Sequence, residues 1–134
     1  MGGGKAMIVA GVGFRRSVEA GEIVALVEQA LERAAIARDA LKSLATIEAL
    51  TALPAFREAA RRLDVVATTV AQATLVETAP HVRTQSARSI AAHGVGSVAE
   101  AAALAAAGSH SKLILERIAS ASATCALARS ETSS

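Results

Sequence analysis

The chain has 134 residues, of which 52% are apolar and 19% charged, a size and composition typical of one domain with a proper core. A net charge of +2, with two Phe and no Trp or Tyr, does not indicate a nucleic-acid partner. The single cysteine, Cys125, excludes an internal disulfide. No apolar run reaches the ~18 residues of a membrane helix.

The amino-terminal residues do not have the shape of a signal peptide, because glycine and arginine interrupt the apolar run that follows Lys5. We therefore predict a cytoplasmic protein with no membrane partner. We expect a single domain over 7–129, with disordered ends at 1–6 and 130–134. The three histidines lack metal-ligand spacing, so we predict no metal site and no cofactor.

The first informative stretch is Gly11-Val12-Gly13-Phe14-Arg15-Arg16-Ser17, which follows an apolar run. We predict a strand over 7–11, a glycine turn, and a helix over 19–35 with Ser17 as its N-cap. Such a turn aims backbone N–H groups and the positive end of the helix dipole at one point, which favours a bound anion.

Further elements follow in an order typical of a helix-covered sheet. Residues 41–47 read as a strand, although a helix there stays open, and the β-branched run 65–70 is a clear strand. Predicted helices cover 54–63, with Pro54 in the first turn, part of 71–82, 86–93 and 97–107. Ser86 is predicted to cap the helix that ends near His93, with Gly94 as its C-terminal stop. Two short apolar runs, 112–115 and 123–128, predict a closing hairpin. The predicted fold is a three-layer α/β domain with a mainly parallel sheet of about five short strands, helices on both faces and a C-terminal hairpin.

Known nucleotide motifs do not fit the glycine turn. The third glycine of G-x-G-x-x-G is missing, and neither a P-loop nor a G-x-S-x-G elbow is present. Arg15 and Arg16 instead suggest that the turn holds carboxylates, since a guanidinium grips a carboxylate through two parallel hydrogen bonds. The alternative is that one of them pairs with Glu19 of its own helix.

A second glycine motif, Gly94-Val95-Gly96-Ser97-Val98-Ala99-Glu100, precedes the alanine-rich helix. Ser97 and Glu100 have the spacing of a capping box, which by itself explains both residues. Gly108 is predicted as the left-handed residue that ends this helix. If the two glycine turns share an edge of the sheet, Gly96, Ser97 and Glu100 join the same anion site.

Both glycine motifs, in this order and at this separation, resemble the CobE proteins of cobalamin biosynthesis and the C-terminal domain of CbiG, the cobalt-precorrin-5A hydrolase. The resemblance extends through Ala45-Thr46-Ile47, Leu113-Ile114-Leu115 and Ala123–Ala128. It departs after Ile47, where this chain has Glu48-Ala49-Leu50, and after the Leu113 strand, where the family shows a lysine and Arg117 is the nearest cation here.

The resemblance implies a protein of the aerobic cobalamin pathway that binds a carboxylate-rich precorrin or other tetrapyrrole intermediate as a carrier or accessory factor. The alternative is a hydrolase that opens a precorrin lactone, with Glu100 or His93 as general base, so catalysis stays open. A third hypothesis is docking on another pathway enzyme through helix 98–107. The candidate ligand-binding residues are Gly11, Gly13, Arg15, Arg16, Ser17, Gly96, Ser97, Glu100 and Arg117.

Overall fold

The computed structural model describes residues 7–108 and 110–130. Its strands are β1 (Ile8–Phe14), β2 (Leu41–Ile47), β3 (Val66–Val70), β4 (Lys112–Ala119) and β5 (Ala123–Arg129). Its helices are α1 (Ala20–Arg33), α2 (Glu48–Thr51), α3 (Pro54–Leu63), α4 (Gln72–Glu77), α5 (Ala87–His93) and α6 (Val98–Ala107), with short 3-10 turns at Arg38–Ala40 and Ala79–His81.

The predicted ends 1–6 and 131–134 lie outside the described residues. Ser130 is described, and it is buried. Its backbone N–H donates to the carbonyl of Met7 at 2.9 Å, and its hydroxyl accepts from the Met7 N–H at 2.9 Å. This pairing extends the contact between the first and last strands by one residue.

The five strands form one sheet in the order β3-β2-β1-β5-β4. β1 pairs with β2, and β2 with β3, in parallel, whereas β5 is antiparallel to both of its neighbours. Four strands thus run in one direction and β5 runs against them, because a hairpin joins β4 to β5. The predicted α/β fold is confirmed, with the refinement that the sheet is mixed.

Each face of the sheet is covered by its own set of helices. On one face α1 packs with α3, and the apolar stripe of α1, including Ile23, Val27 and Leu31, is buried against the sheet. On the other face α6 lies across β1, β2 and β5, with α4 beside it. Side chains alternate along β1, so that Ala10 joins the first core and Val9 the second.

The predicted glycine turn after β1 is wrong. The strand continues to Phe14, so Gly11 and Gly13 lie inside it, and neither has a positive φ. The turn comes later, at residues 15–17. Ser17 does not cap α1 either, because the helix begins at Ala20 and Glu19 occupies the cap position without a side-chain hydrogen bond.

Gly11 is required by the close approach of α6. A Cβ built on Gly11 would lie 2.1 Å from the Ala99 carbonyl oxygen and 2.5 Å from the Ala103 nitrogen. Real atoms do not approach so closely, so only glycine lets the alanine-rich helix rest on the strand backbone. Gly11 is therefore needed for the packing of α6 on the central strand β1.

Helix α6 is the most deeply buried helix of the described chain. Every residue from Val98 to Leu104 is buried. The proposed docking face on helix 98–107 is therefore wrong, since the core covers it. Gly108 ends the helix with φ 106° and ψ 177°, a positive-φ conformation that favours glycine but is not the predicted left-handed helical one.

No single helix among the described residues is long and apolar enough to cross a membrane. Taken together, helices α5 and α6 reach the length and hydropathy of a membrane span. They are bent by 58° at their break, however, and α6 is buried in the core.

Substituting the glycine under α6 tests this packing. Gly11→Ala should lower the free energy of unfolding by about 3 kcal/mol or prevent folding, because the methyl group meets backbone atoms that cannot move independently. Gly21→Ala is the matched control, since its nearest neighbour would be the Arg62 guanidinium at 3.8 Å. It should raise stability by about 0.5–1 kcal/mol. Urea unfolding followed by circular dichroism measures both, and equal effects would contradict the close-approach argument.

Candidate functional site: a basic cleft at the carboxyl edge of the sheet

A cleft lies where β1 ends, beside the start of α6, and it has a volume of about 400 Å³. Helix α5 forms one wall and the β4–β5 hairpin the other. In open α/β sheets, ligands usually bind at the carboxyl ends of the strands, at the point where the chain connections diverge. The lining residues are Gly13, Phe14, Arg15, Ser86, Arg88, Ser89, Ala92, His93, Ser97, Val98, Arg117, Ser120, Ala121, Ser122, Ala123 and Thr124.

Three arginines give the cleft its charge. Arg15 comes from the end of β1, Arg88 from α5 and Arg117 from β4. Within the described ranges none of their guanidinium groups forms a salt bridge or a hydrogen bond, whereas Arg38, Arg61, Arg62 and Arg83 all pair with glutamates elsewhere. No described lining residue is acidic. The cleft therefore presents positive charge that the protein itself does not neutralise.

Serine caps fix the two helices that meet at the cleft. The Ser86 hydroxyl accepts from the Ser89 N–H at 3.3 Å at the start of α5. The Ser97 hydroxyl accepts from the Glu100 N–H at 3.1 Å at the start of α6. Both caps, and the left-handed Gly94 that ends α5, were predicted from sequence and are confirmed.

Glu100 is fully buried behind the cleft and accepts four hydrogen bonds from two separate segments. Its Oε1 accepts from the backbone N–H groups of Arg83 (2.7 Å) and Thr84 (2.9 Å). Its Oε2 accepts from the Thr84 hydroxyl (2.5 Å) and the Arg117 N–H (2.9 Å). The predicted capping box is thus half right: the serine caps the helix, but the carboxylate holds residues 83–84 and 117 instead of the Ser97 N–H.

These hydrogen bonds decide the charge of Glu100. Burial by itself raises the pKa of the carboxyl, but the donors on Arg117, Thr84 and Arg83 together lower it by more, and the pKa lies below its ordinary value. The carboxylate is therefore ionised at neutral pH and has no surface exposed to the cleft.

Glu22 of α1 holds the opposite wall in a similar manner. Its Oε2 accepts from the Ser120 hydroxyl and from the Ser122 N–H, the latter at 2.7 Å. Both hydrogen bonds lower the pKa of the Glu22 carboxyl. The carbonyl of Ser122 in turn accepts from the Arg15 N–H at 2.9 Å, so the hairpin turn and the end of β1 are joined.

The structure brings together some of the predicted site residues and separates others. Gly13, Arg15, Ser97, Arg117 and the candidate base His93 line the cleft. The predicted residues outside the lining are Gly11, Arg16, Ser17, Gly96 and Glu100.

The residues outside the lining have other surroundings. Gly96 is packed against the next loop, where an added Cβ would lie 2.2 Å from the Thr84 carbonyl oxygen. Arg16 and Ser17 are exposed in the turn. In the described part of the chain, neither Arg15 nor Arg16 pairs with Glu19.

Sequence reasoning missed Arg88 and the hydroxyls around it. The sequence shows Arg88 only as an exposed position in a short helix, since no local motif marks it. Its one indirect signal is that the Ser86 cap and the Gly94 stop place α5 directly before the second glycine motif. In the described residues, no group of His, Cys, Asp and Glu side chains is arranged to hold a metal ion.

The fold and the site define a small open α/β protein with an uncompensated basic cleft at the carboxyl edge of its sheet. Comparison with known proteins specifies the family. The family model described as "Cobalamin synthesis G C-terminus" matches residues 8–128. The chain therefore belongs to the CbiG C-terminal family and is a protein of cobalamin biosynthesis.

Individual relatives agree with this assignment. Protein CobE of a Sinorhizobium species is 39% identical over 121 residues, which span 90% of this chain and 79% of the relative. The crystal structure of CobE, a protein from the cobalamin (vitamin B12) biosynthetic pathway, superposes with a TM-score of 0.88 at 32% identity and covers 96% of this chain and 94% of that one. The cobalamin biosynthesis protein chiG from Agrobacterium tumefaciens has a TM-score of 0.69 at 32% identity, covering 91% of this chain and 97% of that one.

The Glu100 hydrogen bonds predict a pH dependence of stability. Because the pKa is lower in the folded than in the unfolded chain, the stabilisation is complete above the ordinary value of 4.5 and is lost as the pH falls through the folded pKa. Glu100→Gln should cost about 2 kcal/mol at neutral pH. The difference in the free energy of unfolding between this variant and the native chain should become smaller in acid.

Urea unfolding over a pH series measures this difference. Glu32→Gln is the control, since Glu32 is exposed and makes no side-chain hydrogen bond within the described residues. It should change stability little at any pH. A Glu100→Gln difference that stays constant from neutral to acid pH would contradict the argument.

Proposed function

We propose that the chain binds a carboxylate-rich precorrin or related tetrapyrrole intermediate of the aerobic cobalamin pathway, as a carrier or accessory factor. The observation that carries the proposal is the set of unpaired guanidinium groups of Arg15, Arg88 and Arg117 around one cleft that has no acidic lining residue among those described. Membership of a cobalamin-biosynthesis family supports the ligand class.

The chemistry of the ligand matches the cleft. Precorrins are macrocycles whose periphery bears acetate and propionate groups, and each guanidinium can grip one carboxylate through two hydrogen bonds. Arginine serves better than lysine because its fork of donors matches the carboxylate geometry. Ser122, in the hairpin turn, also lines the cleft and offers a hydroxyl donor at the same edge.

The size of the cleft limits how the ligand sits. A cavity of about 400 Å³ lies at the small end of the usual range for ligand pockets, and a carboxylated tetrapyrrole is larger than that. The cleft therefore takes one edge of the macrocycle with its side-chain carboxylates, and the rest of the ring stays outside. Such partial cover suits a protein that accepts a ligand and passes it on.

Arginine substitutions test the site with a stable probe. The probe is uroporphyrin, a tetrapyrrole with acetate and propionate on every pyrrole ring. Its own absorbance reports binding, which is useful because the chain has no Trp whose fluorescence could do so. Arg15→Ala, Arg88→Ala and Arg117→Ala should each weaken binding by about tenfold, the loss of one charged hydrogen-bonded pair.

The matched control is Arg16→Ala, which removes the same charge one residue outside the lining. It should leave the affinity within about twofold, because screening leaves little long-range attraction at physiological salt. The esterified porphyrin should not bind. Equal losses in all four variants would show attraction by net charge alone and would overturn the site.

A second candidate function is hydrolysis of a precorrin lactone, and the position of His93 favours it. His93 lines the cleft and is half-buried, and within the described residues its imidazole has no hydrogen-bond partner. An imidazole on the wall of a cleft is suited to activate a water as a general base. We do not assign this role to Glu100, because its carboxylate is buried and fully engaged.

Product analysis separates the two functions. If the chain is a hydrolase, incubation with the lactone-bearing precorrin should give the ring-opened product by mass spectrometry, and His93→Gln should slow its formation by about 100-fold. The uroporphyrin affinity of this variant should stay within about threefold of the native value. Product formation at equal rates with and without the protein would exclude hydrolysis and leave the carrier function.

A further inference from the structure

We infer that Glu100 is a positioning residue that holds both basic walls of the cleft without touching the ligand. This inference rests on the proposed function for the role of the cleft, but its structural part can be tested without a ligand. It assigns to a residue behind the cleft the task of placing Arg117 and the α5 wall.

The first wall is the irregular part of β4. The pairing of β4 with β5 shifts register between Leu115 and Ile118, so Arg117 lies at a break in the regular ladder. At this break the Arg117 N–H donates to Glu100 at 2.9 Å. One hydrogen bond from the buried carboxylate thus fixes the backbone from which the Arg117 side chain enters the cleft.

The second wall is the segment before α5. Arg83 and Thr84 give Glu100 three hydrogen bonds, and the chain then passes to Ser86, the cap of α5. The Ser86 N–H donates to the Gly96 carbonyl at 3.0 Å, which presses this segment on the start of α6. Helix α5 has no buried residue of its own, so hydrogen bonds more than a core hold it in place. The contacts before Ser86 fix its start, and the Ser89 hydroxyl and the Gln72 amide, which donate to the carbonyls of Val95 and His93 at 2.7 Å each, fix the rest.

The carboxylate suits this task for electrostatic reasons. Glu100 lies in the first turn of α6, where the helix dipole favours negative charge. Its oxygens accept from three backbone N–H groups, those of Arg83, Thr84 and Arg117. An ionised acceptor buried between three segments also gives shorter, stronger hydrogen bonds than a neutral one would.

Arg15 provides the internal comparison. It lines the same cleft, but its N–H donates to Ser122, which is held by Glu22 of α1. Loss of Glu100 should therefore displace Arg117 and Arg88 and leave Arg15 in position. A residue that merely supports global stability would not make this distinction.

The ligand-free experiment is hydrogen exchange of the full chain. In Glu100→Gln, the NH₂ of an amide takes the place of one carboxylate oxygen. A donor then faces the donors of Thr84 and Arg117 where an acceptor stood before. Exchange should rise at residues 83–86 and 115–118 by about tenfold or more beyond the common rise that the lower global stability brings to α1 and to 120–122. Unchanged exchange, or a uniform rise over the whole chain, would overturn the inference.

If Glu100→Gln does not fold, Thr84→Val serves in its place. It removes only the hydroxyl donor to Oε2 and keeps both backbone hydrogen bonds to Oε1. Exchange should then rise at 83–86 and not at 115–118. A rise at neither segment would overturn the inference.

The binding experiment is a pair of mutant cycles with uroporphyrin, one against the double variant Arg88→Ala/Arg117→Ala and one against Arg15→Ala. Glu100→Gln should weaken binding by about tenfold or more in the native background and by less than about threefold in the double variant, since both groups that it positions are then gone. With Arg15→Ala it should still cost about tenfold. Additive losses in both cycles would overturn the inference, whereas a native chain that does not bind uroporphyrin would count against the proposed function, with hydrogen exchange still deciding the role of Glu100.

Discussion

The contact between α6 and β1 is the constraint on which the architecture depends. Alanine side chains on the helix and a glycine at the centre of the strand let two backbones approach more closely than any larger pair of residues would allow. The approach buries α6 almost entirely and brings its first turn to the carboxyl end of β1. The position of the cleft therefore follows from the packing of α6 on β1.

That same contact places an acidic residue where a basic cleft needs internal support. Two glutamates, Glu22 on one face of the sheet and Glu100 on the other, bind backbone and hydroxyl donors of the cleft walls from behind. Neither lines the cavity. Because both carboxylates are hydrogen-bonded to the walls, they do not pair with the arginines that line the cleft. The guanidinium groups therefore face the cleft without an internal counter-charge from the described residues.

Much of the fold follows from local patterns. Several local patterns place elements where the structure has them: the β-branched run of β3, the two apolar runs of the closing hairpin, Pro54 at the start of α3, and the Ser86 and Gly94 caps. The end of β1 does not follow in this way. Glycines after an apolar run suggest a turn, and only the approach of a helix from far along the chain shows that Gly11 and Gly13 belong to the strand.

The cleft could be predicted only in part, for a similar reason. Arg15 and Arg117 were expected from the glycine motif and from the family resemblance, and both line the cavity. Arg88 has no local signature, since its importance depends on how α5 folds back on the second motif. Glu100 has the spacing of a capping box whichever donors its carboxylate finds, and the tertiary position of residues 83–84 and 117 determines that choice.

The place of β5 in the sheet has a consequence for the order in which the molecule assembles. This strand is the last of the described elements, yet it lies between β1, the first, and β4. A nascent chain on the ribosome can complete the β1–β2–β3 half early, but it cannot join β4 to that half until residues 123–129 have emerged. Because the β4–β5 hairpin forms one wall of the cleft, the cleft is complete only after residues 123–129 have left the ribosome.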